Sequence, residues 1–155
     1  YEAIEWRIIF LIIGMLGVGS ALQTTGAAET ISNGMIGIID SLGLTSSAKP
    51  YVMLAGLYLL ASIFTELVSN NAVGVLLTPI AVSLAQAADY SAIPFVVAVM
   101  FGASASFTTP IGYQTNTYVY GAGGYKFSDF MKVGLPLNLT LWVIASITIP
   151  LFWGF

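Results

Sequence analysis

YVMLAGLYLLASIFTELVSNNAVGVLLTPIAVSLAQAA, residues Tyr51–Ala88, decides how the chain folds. Tyr51–Val68 and Ala72–Ala88 are helical in composition, Ser69-Asn70-Asn71 lies between them, and Glu66 is the single charge in the whole stretch. Irregular backbone at membrane depth persists only where it is buried in protein or lines a cavity. The break therefore reads in one of two ways. It is an ordinary loop between two spans, since Asn favours turns, or it is the tip of a re-entrant hairpin over Pro50–Ala88. The hairpin is the reading adopted.

The surroundings of this stretch are those of a membrane protein. Of 155 residues, 57 % are hydrophobic and only 7 % charged, with a mean hydropathy of +0.91. Soluble domains carry about 25 % charged residues, so this chain lacks the charge to solvate a globular surface. Uncharged runs extend over Ile8–Ala28, Leu67–Ala88, Tyr90–Tyr125 and Val133–Phe155, and a spanning helix needs roughly 20 apolar residues. The lipid bilayer is thus the expected surrounding. The first residue is Tyr1 and no signal-peptide pattern precedes the first helix, which gives the expectation of a piece of a longer protein.

Working outward, a transmembrane helix is expected over residues 6–23, anchored at the interface by Glu5-Trp6-Arg7. Gly14, Gly17 and Ser20 give it a smooth packing face. Residues 29–44 are too short and polar to span and read as an interfacial helix. Residues 92–120 read as a broken transmembrane helix, interrupted by FTTPIGYQTN at Phe107–Asn116. Gly121–Lys132 reads as a surface segment, and residues 133–155 as the last transmembrane helix, with Trp153 at the interface. Arg7, Lys49, Lys126 and Lys132 are the only basic residues. They fall three against one in either orientation, according to whether the hairpin crosses the membrane, and so leave orientation open.

The two interruptions, Thr65–Asn71 and Thr108–Asn116, carry the candidate chemistry. Discontinuous helices are how secondary transporters build midplane sites, with free N–H groups at half-helix starts facing anions and unwound carbonyls facing Na⁺. Ser, Thr and Asn supply neutral oxygens suited to a hard cation, and Pro110 frees carbonyls by removing a donor. Thr108-Thr109-Pro110 is equally readable as a simple kink re-satisfied by Thr hydroxyls. No Arg or Lys lies deep in an apolar segment, so an anion would be met by helix N-termini, hydroxyls, amides and a co-bound cation. Glu66 is a functional candidate by position, and a structural hydrogen-bonding role at a helix end is the reading favoured for it. Tyr113, Tyr118, Tyr120 and Tyr125 read as packing or interface residues.

At these motifs the sequence resembles the divalent anion:sodium symporter family of the ion transporter superfamily. TELVSNNAVGVLLTPI (Thr65–Ile80) resembles the second-repeat signature, and ASASFTTPIGYQTNTYVYGAGGYKFSDFMKVGLPLNL (Ala103–Leu139) resembles the broken helix and last helix that follow it. GYQTN and GGYKFSDF look most like members linked to sulfate uptake. The resemblance implies an all-α integral membrane fold, one inverted-repeat half of a secondary transporter, with an elevator-like mechanism. It implies Na⁺ held by Thr65, Ser69, Asn70 and backbone near Thr108. It implies an anion faced by Ser69, Asn70, Asn71, Thr109 and Pro110. The third signature residue is Asn71 where the family has Thr, and the family's Thr-Pro-Pro-Asn is opened into TPIGYQTN. Both departures fit a compact oxyanion better than a dicarboxylate.

The expected function is Na⁺-coupled symport of a small divalent anion, sulfate first, with another anion permease or a channel-like pore subunit as alternatives. The expected setting is the plasma (inner) membrane, multi-pass, as a homodimer completed by an N-terminal repeat that this sequence lacks; alone it should not transport. Composition excludes other classes. Without His, HExxH and nucleophile–His chemistry are impossible, and no enzyme activity or organic cofactor is expected. Without Cys there is no thiolate metal site. A net charge of −3 with no basic run makes nucleic acid an improbable partner.

Overall fold

The computed structural model describes residues 6–155, without the side chains at 7, 8, 11, 12 and 15. Seven α-helices and no strand are found among the described residues: α1 (Trp6–Thr24), α2 (Ala27–Ser41), α3 (Lys49–Thr65), α4 (Asn70–Ala87), α5 (Ala92–Ser104), α6 (Gln114–Gly123) and α7 (Phe127–Trp153). Of the expected interfacial anchor, Glu5 and the Arg7 side chain lie outside the described residues, while Trp6 is about half exposed.

Local chemistry sets most boundaries. Gly26, at φ 70, turns the chain between α1 and α2 in the left-handed region that glycine adopts without strain. Pro50 opens α3, where its missing N–H has no partner to lose. Ser69 and Ser91 are the N-caps of α4 and α5, accepting from the N–H groups of Ala72 and Ile93. Helix α7 starts at Phe127, ahead of Val133, because the Asp129 carboxylate reaches back to the Lys126 N–H at 2.9 Å and satisfies an orphan donor of the first turn.

Helices α3, α4 and α5 form the centre. Helix α5 packs on both of the others, α7 lies against α3 and α5, and α1 and α2 lie against α4. Leu54, Leu57, Leu77, Leu84, Phe95 and Val99 are fully buried at this junction. Gly102 makes the α3–α5 approach possible: a Cβ there would stand 2.7 Å from the Tyr58 carbonyl oxygen. Across from it, the Trp142 indole of α7 donates to the Ala55 carbonyl of α3 at 2.8 Å. Buried Ser32 sits where α2 meets α4, its hydroxyl 2.7 Å from the Ala28 carbonyl of its own helix and 3.3 Å from the Ile80 carbonyl of α4.

Among the described residues, α4 and α7 are long and apolar enough to cross a membrane. Helix α5 has 13 residues and at 1.5 Å per residue covers roughly 20 Å, short of a hydrocarbon core of about 30 Å. Large apolar side chains, including Phe10, Ile13, Phe101, Leu151 and Phe152, are exposed around the outside, as a lipid-facing surface requires.

Candidate functional site

Two irregular stretches meet in the middle of the bundle. The first, Glu66–Ser69, joins α3 to α4; the second, Ala105–Tyr113, joins α5 to α6. Glu66 fastens them together. Its Oε1 accepts from the Thr108 N–H at 2.7 Å and from Asn138 Nδ2 of α7 at 3.1 Å. Its Oε2 accepts from the Thr109 N–H and the Thr109 hydroxyl, both at 2.8 Å. Glu66 is only 8 % exposed, and a buried charge of this kind survives where its lone pairs are filled. The favoured sequence reading of Glu66, a hydrogen-bonding anchor at a helix end, matches this geometry.

Beside it stands a cluster of oxygens. The fully buried Thr65 hydroxyl oxygen lies 2.6 Å from Asn70 Oδ1 and 2.6 Å from the Ala103 carbonyl oxygen. A hydroxyl carries one proton and can donate to only one of them. The other oxygen contact is repulsive unless the Asn70 amide is turned to present its NH₂ or a cation shares the oxygens. Ser106 donates to the Thr65 carbonyl at 3.3 Å, and Ser62 donates to the Ala105 carbonyl at 3.2 Å. Two helix breaks thus bring their hydroxyls and carbonyls to one place.

On the open side, a cavity of about 460 Å³ is lined by Leu67, Val68, Ser69, Asn70, Asn71 and, across from them, Ile111–Gln114 with Thr117. Ser69–Asn71 is the amino end of α4, and Tyr113-Gln114 is the amino end of α6. The first N–H groups of a helix have no intrahelical partner and carry the positive end of its dipole. Two such ends face one groove whose lining contains no Lys or Arg.

The sequence-derived candidates are distributed as follows. Ser69, Asn70 and Asn71 line the groove together, and Thr65 and Asn70 meet in the oxygen cluster. The Thr108 hydroxyl accepts from Asn138 at 2.7 Å and its N–H serves Glu66, so its hydroxyl and its N–H are on the Glu66 side. The Thr109 hydroxyl is engaged by Glu66, and Pro110 is fully buried; neither lines the groove. The Ala103 carbonyl, Gly112, Gly134 and Asn138 were not among the candidates. A signal existed for Asn138, the one side-chain amide in the last helix, a setting in which polar side chains find partners inside the bundle. For the Ala103 carbonyl there was none, because every residue has one.

The same junction explains two glycines. A Cβ on Gly112 would run into the Ser106 hydroxyl and stand 2.9 Å from Glu66 Oε2. A Cβ on Gly134 would run into the Phe107 carbonyl and stand 2.7 Å from Thr108 Cα. The loop is pressed between Glu66 and α7, and both surfaces are open to it because a side chain is missing.

Comparison with known proteins gives one family. The model described as CitMHS, citrate transporter, matches residues 1–100. An uncharacterized transporter of Synechocystis is 40 % identical over 154 residues, which are 99 % of this chain and 24 % of the relative. Sodium/sulfate cotransporter 1 of Chlamydomonas reinhardtii is 37 % identical over 145 residues, 94 % of this chain and 16 % of the relative. Solute carrier family 13 member 2 of Rattus norvegicus is 30 % identical over 156 residues, 97 % of this chain and 25 % of the relative. The chain spans a quarter or less of the length of each of these three.

Proposed function

From a chain that belongs to the citrate transporter family, we propose one half of a Na⁺-coupled secondary transporter that takes up a small divalent anion, sulfate in the first place. The observation that carries the reading is the groove in which the amino ends of α4 and α6 face each other beside the Thr65–Asn70–Ala103 oxygens. Helix N-termini and amide and hydroxyl donors suit a compact, fully deprotonated oxyanion without any cationic side chain. Three neutral oxygens sharing one proton suit a monovalent cation. Sulfate is favoured over a carboxylate substrate by the likeness to a sodium/sulfate cotransporter of Chlamydomonas reinhardtii and by Asn71 at the third signature position.

In this reading Na⁺ is held by Thr65, Ser69 and Asn70, with Thr108 contributing through the backbone around it. The anion is held by Ser69, Asn70 and Asn71 from α4, while Thr109 and Pro110 shape the loop opposite. Residues 50–88 form a re-entrant hairpin, residues 92–120 a broken helix, and the two move together as an elevator-like unit. A second repeat closes the groove, and the complete transporter is a multi-pass homodimer of the plasma membrane. Binding Na⁺ first places positive charge at the amino end of α4 and so raises the affinity for the anion.

The test is uptake of radiolabelled sulfate, succinate and citrate by the complete transporter in proteoliposomes, with and without an inward Na⁺ gradient. Na⁺-driven accumulation of sulfate above succinate and citrate is expected. Uptake indifferent to the Na⁺ gradient overturns the symport reading, and preference for either carboxylate overturns the choice of anion.

A further inference from the structure

Glu66 accepts hydrogen bonds from the α5–α6 loop and from α7 while itself closing α3. An ionised carboxylate offers about four lone-pair sites, and Thr108 N–H, Thr109 N–H, Thr109 hydroxyl and Asn138 amide fill four. All four partners are donors. The carboxylate has no free oxygen with which to hold a cation unless one of these bonds is given up.

The N–H groups of Thr108 and Thr109 are consecutive and each meets a different oxygen of the same carboxylate. Successive N–H groups aimed at one point form an anion cradle. Here the chain's own anion sits in it. The loop held this way is also tied to α6: Asn116 donates to the Thr109 carbonyl at 3.3 Å and to the Ser106 carbonyl at 2.9 Å, and Thr117 donates to the Pro110 carbonyl at 2.8 Å. Gly112, one residue before the N-cap of α6, donates to the Thr109 hydroxyl at 3.1 Å. A continuous set of contacts therefore runs from Glu66 through the loop to the first turn of α6, and Glu66 stands three residues before the N-cap of α4.

We propose that Glu66 is a positioning residue: a built-in anion that occupies the Thr108–Thr109 cradle and so fixes the separation of the α4 and α6 amino ends across the groove. The proposal rests on the transport reading above only for its consequence on uptake; the geometric part stands without it. Asn138 completes the clasp by joining the same carboxylate and the Thr108 hydroxyl to α7. Filling the cradle internally also removes it as a rival site for the transported anion, which leaves the two helix ends as the place where that anion is held.

The experiment uses the complete transporter in lipid on a cysteine-free background, with nitroxide labels at Val68→Cys and Ile111→Cys. Both residues are exposed on the rim of the groove and neither is assigned a ligand role. Electron paramagnetic resonance reads the distance between them. In Glu66→Gln the amide NH₂ confronts donors, so the distance should lengthen and its distribution broaden. Half-saturating sulfate should rise roughly 10-fold, the equivalent of one charge-assisted hydrogen bond, with a smaller change in maximal rate. Glu66→Asp, which keeps the charge, should recover part of both. Half-saturating Na⁺ should change less than half-saturating sulfate, because the carboxylate reaches the cation site only through the Thr108 backbone. Asn138→Ala, which removes one donor from Oε1 and leaves Glu66 in place, should shift the distance in the same direction and carries the test if Glu66→Gln fails to fold. A wild-type distance in Glu66→Gln overturns the proposal, as does a shifted distance with unchanged half-saturation or a lost Na⁺ dependence. If the unmodified transporter takes up no sulfate, the substrate reading falls and the distance comparison alone decides the clasp.

Discussion

Gly134→Ala should damage this protein far more than its chemistry suggests. Gly134 lies on α7, and a methyl group there would stand 2.7 Å from Thr108 Cα and nearer still to the Phe107 carbonyl. Carbon atoms rest at about 3.5–4.0 Å, so α7 and the loop must separate by roughly 1 Å. Asn138, one turn further along α7, then loses its contacts, since its Nδ2 sits at 2.7 Å from Thr108 Oγ1 and 3.1 Å from Glu66 Oε1. Both would pass beyond the hydrogen-bonding limit, which lies at about 3.2 Å for N–H···O. Overpacking costs about 1–3 kcal/mol, and the lost bonds to a charged and a neutral acceptor about 2–4 kcal/mol together. The higher helix propensity of Ala returns about 1 kcal/mol. A net loss of about 2–6 kcal/mol follows. Gly56→Ala on α3 is the control, because a Cβ there meets nothing within 4 Å; it should be neutral or up to about 1 kcal/mol stabilising. Equilibrium unfolding of the complete transporter in mixed micelles measures both. Equal stabilities of the two variants would refute the tight seating of the loop on α7.

Three further outcomes are expected. Ser69→Ala and Asn70→Ala should each raise the Na⁺ concentration for half-maximal uptake about 5- to 150-fold, the equivalent of roughly 1–3 kcal/mol; an unchanged Na⁺ dependence in folded protein removes them from the cation site. Asn71→Ala should weaken sulfate binding while moving the Na⁺ requirement less than Asn70→Ala does, read from paired substrate and Na⁺ titrations; the opposite order would exchange their roles. Cysteines placed at Lys49 and Asp89, at the two ends of the hairpin, should be labelled by an impermeant maleimide from the same face of the membrane; labelling from opposite faces would make α3 and α4 full spans.

How much of this was legible beforehand depends on distance along the chain. Helix content, the two interruptions and the polar run around Ser69 are local properties. Ser, Asn and Pro weaken a helix through their own backbone chemistry, and α3, α4 and α5 end or begin near such runs, although α2 passes unbroken through Ser32-Asn33-Gly34. The meeting of Thr65 with Asn70 was likewise within reach, since five positions separate them. The start of α7 was less so: Gly121–Lys132 looks like surface by composition, and one short-range contact, Asp129 to the Lys126 N–H, is what turns its second half into helix.

By itself, then, the sequence determined an all-helical, lipid-facing chain with two polar breaks. The reason is that apolar length and helix-breaking residues act on their own neighbourhood. Only the tertiary structure decided what the breaks do to each other. Glu66 bonds to Thr109, 43 positions away, and to Asn138, 72 positions away, and no periodicity or propensity connects such residues. Thr109 has the hydroxyl of a ligand, yet the fold sets that hydroxyl 2.8 Å from Glu66 Oε2. Asn71 keeps its place on the open groove because α4 begins there. A buried carboxylate must have its lone pairs filled. Which donors could reach it was settled by how α3, α5 and α7 pack, with Gly112 and Gly134 leaving the space for the loop between them.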